Sequence, residues 1–127
     1  MSEPSNIRLW EAEARSTEIP GRLLCTVRDH HFVIDGPVQN GFPGEAVTPG
    51  EQFLSSIAAC GAELVQMLAK QESIPLRAAR VHAEGRVDLD DQPHPTYKTF
   101  NSLRFTFELK GVTPEQGELL VGRFKGR

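Results

Sequence analysis

The alternation of apolar and polar positions divides the chain into segments of two kinds. Ile7 to Ser16 begins with Ile7 and Leu9 set against Arg8 and Trp10, which predicts a first strand closed by Pro20-Gly21. Arg22 to Arg28 alternates Leu23, Cys25 and Val27 with Leu24, Thr26 and Arg28, a strand apolar on one face. Asp29-His30 predicts a tight turn into His31-Phe32-Val33-Ile34, which Asp35-Gly36-Pro37 ends. Val38 to Val47, with Gly41, Pro43 and Gly44, predicts a loop. The period then lengthens. Phe53, Ile57, Cys60, Leu64 and Met67 recur at helical spacing, with Leu54, Ala58, Val65 and Leu68 as a second stripe. The start is marked by Thr48 as N-cap, Pro49 at the first helical position and Glu51 three residues after the cap. The end falls by Ser73, ahead of Pro75. A helix apolar over so much of its circumference is expected in the middle of the fold or of a dimer interface.

Period two returns after Pro75. Val81, Ala83, Gly85, Val87 and Leu89 alternate with Arg80, His82, Glu84, Arg86 and Asp88. Leu103, Phe105, Phe107 and Leu109 alternate with Arg104, Thr106, Glu108 and Lys110. Each has one face for a core and one for water. Thr113-Pro114-Glu115-Gln116 repeats the helix-start pattern, and Leu119, Leu120 and Phe124 supply that helix with an apolar face. Three strands, a buried helix, two strands and a helix argue an α+β fold, with antiparallel sheet packed on a long central helix.

At 127 residues the chain suits a single domain. Its formal charge of −3, with no basic block, argues against a nucleic-acid partner. Two cysteines do not make a disulfide scaffold, and the polar start, MSEPSNIRLWEAEARS, has no apolar signal region. No uninterrupted apolar run approaches the roughly 20 residues of a membrane span, so the expectation is a cytoplasmic protein with no membrane partner.

The candidates for chemistry are few. Cys60 lies about three turns into the long helix among Ala58, Ala59 and Gly61, small neighbours that let a substrate approach the sulfur; the competing reading is a buried space-filler. Cys25 alternates with Leu23 and Val27 and is expected in the core. His30 and His31 point to opposite faces if both lie in a strand, and His82 and His94 stand apart from them. No spacing of metal ligands or nucleotide-binding glycines occurs, so no metal and no cofactor are expected; a metal module built on the histidines is the weakest of the readings. Glu51 is accounted for by the helix cap, and Arg28 beside Asp29 by a solvated pair.

The stretch GFPGEAVTPGEQFLSSIAACGAELVQMLAKQESIPLRAARVHAEGRVDL resembles the OsmC/Ohr family: a Gly-rich loop, a Pro-x-Glu helix start, Ala-Ala-Cys within the helix, then a Pro-Leu connection into an alternating strand. TVRDHHFVIDGP upstream and FTFELKGVTPEQGELLVGRF downstream extend the likeness from about Thr26 to Arg127. The resemblance implies an intertwined homodimer that reduces organic hydroperoxides, with its sites at the subunit interface. It implies that Cys60 is the peroxidatic thiol, paired with an arginine from the N-terminal strands and a glutamate at the helix start. Arg28 is the candidate arginine, because Arg-Asp-His resembles the family's Arg-Asp-Gly turn, and Arg22 is the fallback. Glu51, nine residues before Cys60, is the candidate glutamate; the Ohr-type position ten residues before holds Gly50. The family's resolving Cys-Pro is expected just after Gly122-Arg123-Phe124-Lys125-Gly126-Arg127, so residues 1–127 read as one OsmC-like domain lacking the family's C-terminal end. The implied function is a thiol peroxidase served by a dithiol reductant. The alternative is a non-catalytic small-ligand-binding or stress-associated protein on the same fold.

Overall fold

The computed structural model describes residues 6–126. The first residues of the polar start and Arg127, which closes the family likeness, lie outside them. The chain divides into two compact units, one ending at Gln52 and the other beginning at Phe53.

In the first unit, β1 (Glu13–Ser16), β2 (Arg22–Val27) and β3 (His30–Asp35) form an antiparallel sheet in that order. Arg28 and Asp29 are the two residues between β2 and β3. Pairing Val27 with His30 at the turn carries the register back to Arg22 opposite Asp35. β1 is shorter than the alternation from Ile7 predicts. Glu13 already pairs with Thr26, next to the end of β2, so earlier residues would have no strand to pair with. Ile7, Leu9 and Trp10 are exposed instead, Trp10 at 84%. Cys25 on the central strand and Ile34 on β3 are buried. The loop after β3 contains a single 3-10 turn, Val38–Asn40, and folds Phe42 onto Gly21 and Gly36. A side chain at either glycine would collide with that ring, and Gly21 also has a positive φ of 85°.

The helix α1 (Pro49–Gln71) begins in the first unit and continues into the second. The second unit adds β4 (Ala78–Arg86), β5 (Ser102–Lys110) and α2 (Pro114–Lys125). β4 and β5 are antiparallel, from Ala78 opposite Lys110 to Arg86 opposite Ser102. The alternation through Val87 and Leu89 runs past the end of β4. There Asn101 Oδ1 accepts the Asp88 N–H at 2.6 Å, and Gln92 bonds the Asp88 carbonyl at 2.8 Å. Side chains thus take over from the ladder and close the connection between β4 and β5. Thr113 caps α2 in a reciprocal box with Gln116, as its sequence predicts.

The core of this unit is Leu64, Val65, Leu68 and Ala69 of α1 with Leu120 of α2. Ile74, Leu76, Phe107, Leu109 and Phe124 pack around it. Within the chain α1 buries one face, not most of its circumference: Phe53 remains 49% exposed and Met67 40%. By length and composition α1 would also suffice to cross a bilayer. Serines, glutamines and glutamates interrupt the apolar residues along it, and one face of the helix serves the core.

Candidate functional site

Helix α1 carries Cys60 on its exposed side. Seven residues amount to nearly two full turns, so Phe53, Cys60 and Met67 stand almost in line along one face. Gly61, one position round the helix, is buried. The space-filling reading of Cys60 therefore does not hold in this chain: the residue is exposed. Cys25 is 7% exposed on β2, between Ala14 of β1 and Phe32 of β3, as its alternation predicts.

Glu51 stands in the first turn of α1. Its Oε1 accepts the Thr48 N–H at 3.0 Å and the Thr48 hydroxyl at 2.9 Å, while the Glu51 N–H donates to Thr48 Oγ1 at 3.4 Å. These bonds favour the ionised form and lower the Glu51 pKa. A negative charge here also complements the positive end of the helix.

Arg28 occupies the β2–β3 turn with φ of 54°. That is left-handed backbone, where glycine is the unstrained choice. The residue lines a surface recess of about 700 Å³ with Trp10, Glu11, Ala12, Glu13 and Thr26. Among the described residues Arg28 forms no ion pair, and it makes no bond to Glu51.

Arg22, the fallback arginine, is held elsewhere. Its Nε donates to Asp35 Oδ1 at 2.7 Å and its Nη2 to Asp35 Oδ2 at 2.8 Å, a two-pronged pair across β2 and β3. Nη2 also donates to Glu45 Oε1 at 3.0 Å. Asp35 is fully buried, and its Oδ2 also accepts the backbone N–H groups of Glu45 and Ala46, each at 2.9 Å. The hydrogen bonds from Arg22 hold the Asp35 carboxyl well below the usual carboxylate range, against the opposing effect of burial. The same pair, with Glu45, raises the Arg22 pKa. The clasp joins the start of β2, the end of β3 and the loop that leads into α1. Sequence reasoning missed Asp35 and Glu45 because it places the turn at Asp29-His30; with the turn one residue earlier, at Arg28-Asp29, Arg22 falls opposite Asp35 by count.

The histidines are dispersed. His31 Nδ1 is 3.0 Å from Thr26 Oγ1, His82 is 3.5 Å from Glu84, and His94 stacks on Tyr97 at 4.3 Å between ring centres. Among the described residues no three metal-ligating side chains gather.

The model of the family described as OsmC-like protein matches residues 42–122, more than half of the chain. No curated protein matches the sequence. Among solved structures, the chain is similar to an OsmC-like protein from Mycoplasma pneumoniae at 14% identity and TM-score 0.78, covering 94% of this chain and 82% of that one. It is similar to an organic hydroperoxide resistance protein OsmC from Legionella pneumophila at 18% identity and TM-score 0.74, covering 96% and 85%. An organic hydroperoxide resistance protein from Elizabethkingia anophelis matches at 15% identity and TM-score 0.77, covering 97% and 85%. At these identities the structural likeness establishes the fold.

Proposed function

The chain belongs to the OsmC-like family, and from that premise we propose that it is a thiol-dependent peroxidase that reduces organic hydroperoxides through Cys60. One observation carries the reading: within the stretch that matches the family, α1 presents an exposed cysteine. The Legionella and Elizabethkingia proteins of the same fold are organic hydroperoxide resistance proteins, which supports the substrate class.

The Cys60 thiolate attacks one oxygen of the hydroperoxide. A sulfur–oxygen bond forms, the oxygen–oxygen bond breaks, and the departing alkoxide takes a proton to become an alcohol. Cys60 is left as the sulfenic acid, which an external dithiol returns to the thiol with release of water. The family resemblance assigns to Arg28 the positive charge that favours the thiolate and the departing oxygen, and to Glu51 the orienting of that guanidinium, although the Glu51 carboxylate bonds Thr48 in this chain. The strain accepted at Arg28, where glycine would be unstrained, supports a role for its side chain.

The working unit is a homodimer in the cytoplasm. Phe53 and Met67, exposed on α1 about two turns before and after Cys60, are apolar side chains that a second copy would cover while the thiol stays open to the hydroperoxide. Sedimentation as a pure monomer at micromolar concentration would contradict the dimer. For the activity, cumene hydroperoxide is added to the purified protein and Cys60 is assayed for sulfenic acid. Its formation is expected; an unreacted Cys60 under conditions that oxidise a working relative would refute the peroxidase.

The engagement of Glu51 with Thr48, and Gly50 in the Ohr-type glutamate position, favour a second reading, a non-catalytic small-ligand-binding or stress-associated protein. A Cys60→Ser variant that keeps full ligand binding and cellular effect would select it.

A further inference from the structure

Gly61 follows the candidate thiol and is buried, whereas Cys60 is exposed. Successive helix residues point about 100° apart, so the outward setting of Cys60 depends on how the neighbouring face of α1 is seated. That face is seated through a missing side chain. A Cβ at residue 61 would stand 3.2 Å from Cζ of Phe107 and 3.2 Å from Cε2 of Phe124. Carbon atoms prefer a separation of about 3.5–4.0 Å, so a methyl group there must displace the helix or the rings.

The two rings are partly buried and tied to one another. Phe124 meets Phe107 edge-on with ring centres 5.1 Å apart, and Phe105 edge-on at 5.5 Å. Phe107 and Phe124 also pack against the cluster of Leu64, Val65, Leu68 and Leu120. An added methyl at residue 61 therefore presses on α1, at the turn that carries Cys60, as well as on the rings.

We infer that Gly61 is a positioning residue for Cys60: its bare backbone, resting on Phe107 and Phe124, sets the depth and rotation of the helical turn that presents the thiol. The inference rests on the peroxidase reading. Alkylation of an exposed thiol needs access and ionisation. Attack on a peroxide also needs the sulfur in line with the oxygen–oxygen bond and close to the groups that receive the departing oxygen. The two reactions should therefore respond differently to a small displacement of α1.

The test follows oxidation of Cys60 by cumene hydroperoxide and its alkylation by iodoacetamide, peptide by peptide, by mass spectrometry. Wild type is compared with Gly61→Ala, Gly61→Val and the double variant Gly61→Ala with Phe124→Leu. The rate of sulfenic acid formation is expected to fall about tenfold in Gly61→Ala and further in Gly61→Val. Alkylation of Cys60 should stay within about twofold of wild type, because exposure is retained. Phe124→Leu, which relieves one of the two contacts while Phe107 keeps the other, should recover part of the lost oxidation rate in the double variant. Labelling of buried Cys25 reports any variant that unfolds, in which case the ratio is read from Gly61→Ala. An oxidation-to-alkylation ratio unchanged in Gly61→Ala overturns the inference, as does a loss that Phe124→Leu fails to relieve. A wild type that forms no sulfenic acid overturns the peroxidase reading and this inference together; one that oxidises normally beside insensitive variants overturns the inference alone.

Discussion

The two units are held together by different physics. In the first, the one buried charged side chain among the described residues, Asp35, gathers Arg22 and the backbone of Glu45 and Ala46, while apolar burial is confined to Cys25 and Ile34. In the second, Leu64, Val65, Leu68, Ala69 and Leu120 make a continuous apolar core bordered by the rings of Phe107 and Phe124. The cysteines divide in the same way, since Cys25 is enclosed by its sheet while Cys60 faces out from a helix whose adjoining face is core. A small sheet can be organised around one directional polar tie. A reactive group can be presented outward by a helix whose other face is firmly packed.

The contrast can be broken at its strongest point by Leu120→Ala. Leu120 is fully buried, so its truncation should cost about 2–5 kcal/mol, read from the midpoint of urea unfolding. A negligible loss would deny the second unit its apolar core. Next is thiol labelling. In the folded protein Cys60 should alkylate at least about a hundredfold faster than Cys25, whose sulfur is reached only when its sheet opens. Comparable rates would erase the distinction between the two cysteines.

Asp35→Asn should lower the unfolding midpoint by less than Leu120→Ala. The amide keeps an acceptor for the Glu45 and Ala46 N–H groups, and Arg22, a quarter exposed, can turn to water. The pH dependence has a definite sign. Because the folded state depresses the Asp35 pKa, this contribution is fully present above the unfolded value of 3.8 and is lost as the pH falls through the lower folded value. The difference between wild type and Asp35→Asn should thus stay level across neutral pH and narrow only below about pH 4. Narrowing near neutrality would contradict the clasp. The smallest effect is expected from Arg28→Gly, which relieves left-handed backbone and should stabilise the protein by about 0.5–1 kcal/mol. Under the proposed role the same change slows peroxide reduction. A variant with added stability and undiminished activity would remove Arg28 from the site.

Much of this arrangement is legible in local pattern. The Thr48 and Thr113 caps, the span of α1 and the pairing of β4 with β5 follow from spacing and capping chemistry alone. What escapes is non-local. The length of β1 depends on where its partner β2 ends, which the alternation at Ile7 and Leu9 does not reveal. The exposure of Cys60 depends on which half of a broadly apolar helix meets Phe107 and Phe124. Asp35 looks like a turn residue until the hairpin register brings Arg22 across from it.

The central claim is that Cys60 is a peroxide-reactive thiol presented by a packed helix. The most direct test is to treat the purified protein with cumene hydroperoxide and trap sulfenic acid residue by residue. The account predicts sulfenic acid at Cys60, none at Cys25, and none in Cys60→Ser. Reduced Cys60 after exposure that oxidises a working relative, or oxidation centred on Cys25, would contradict it.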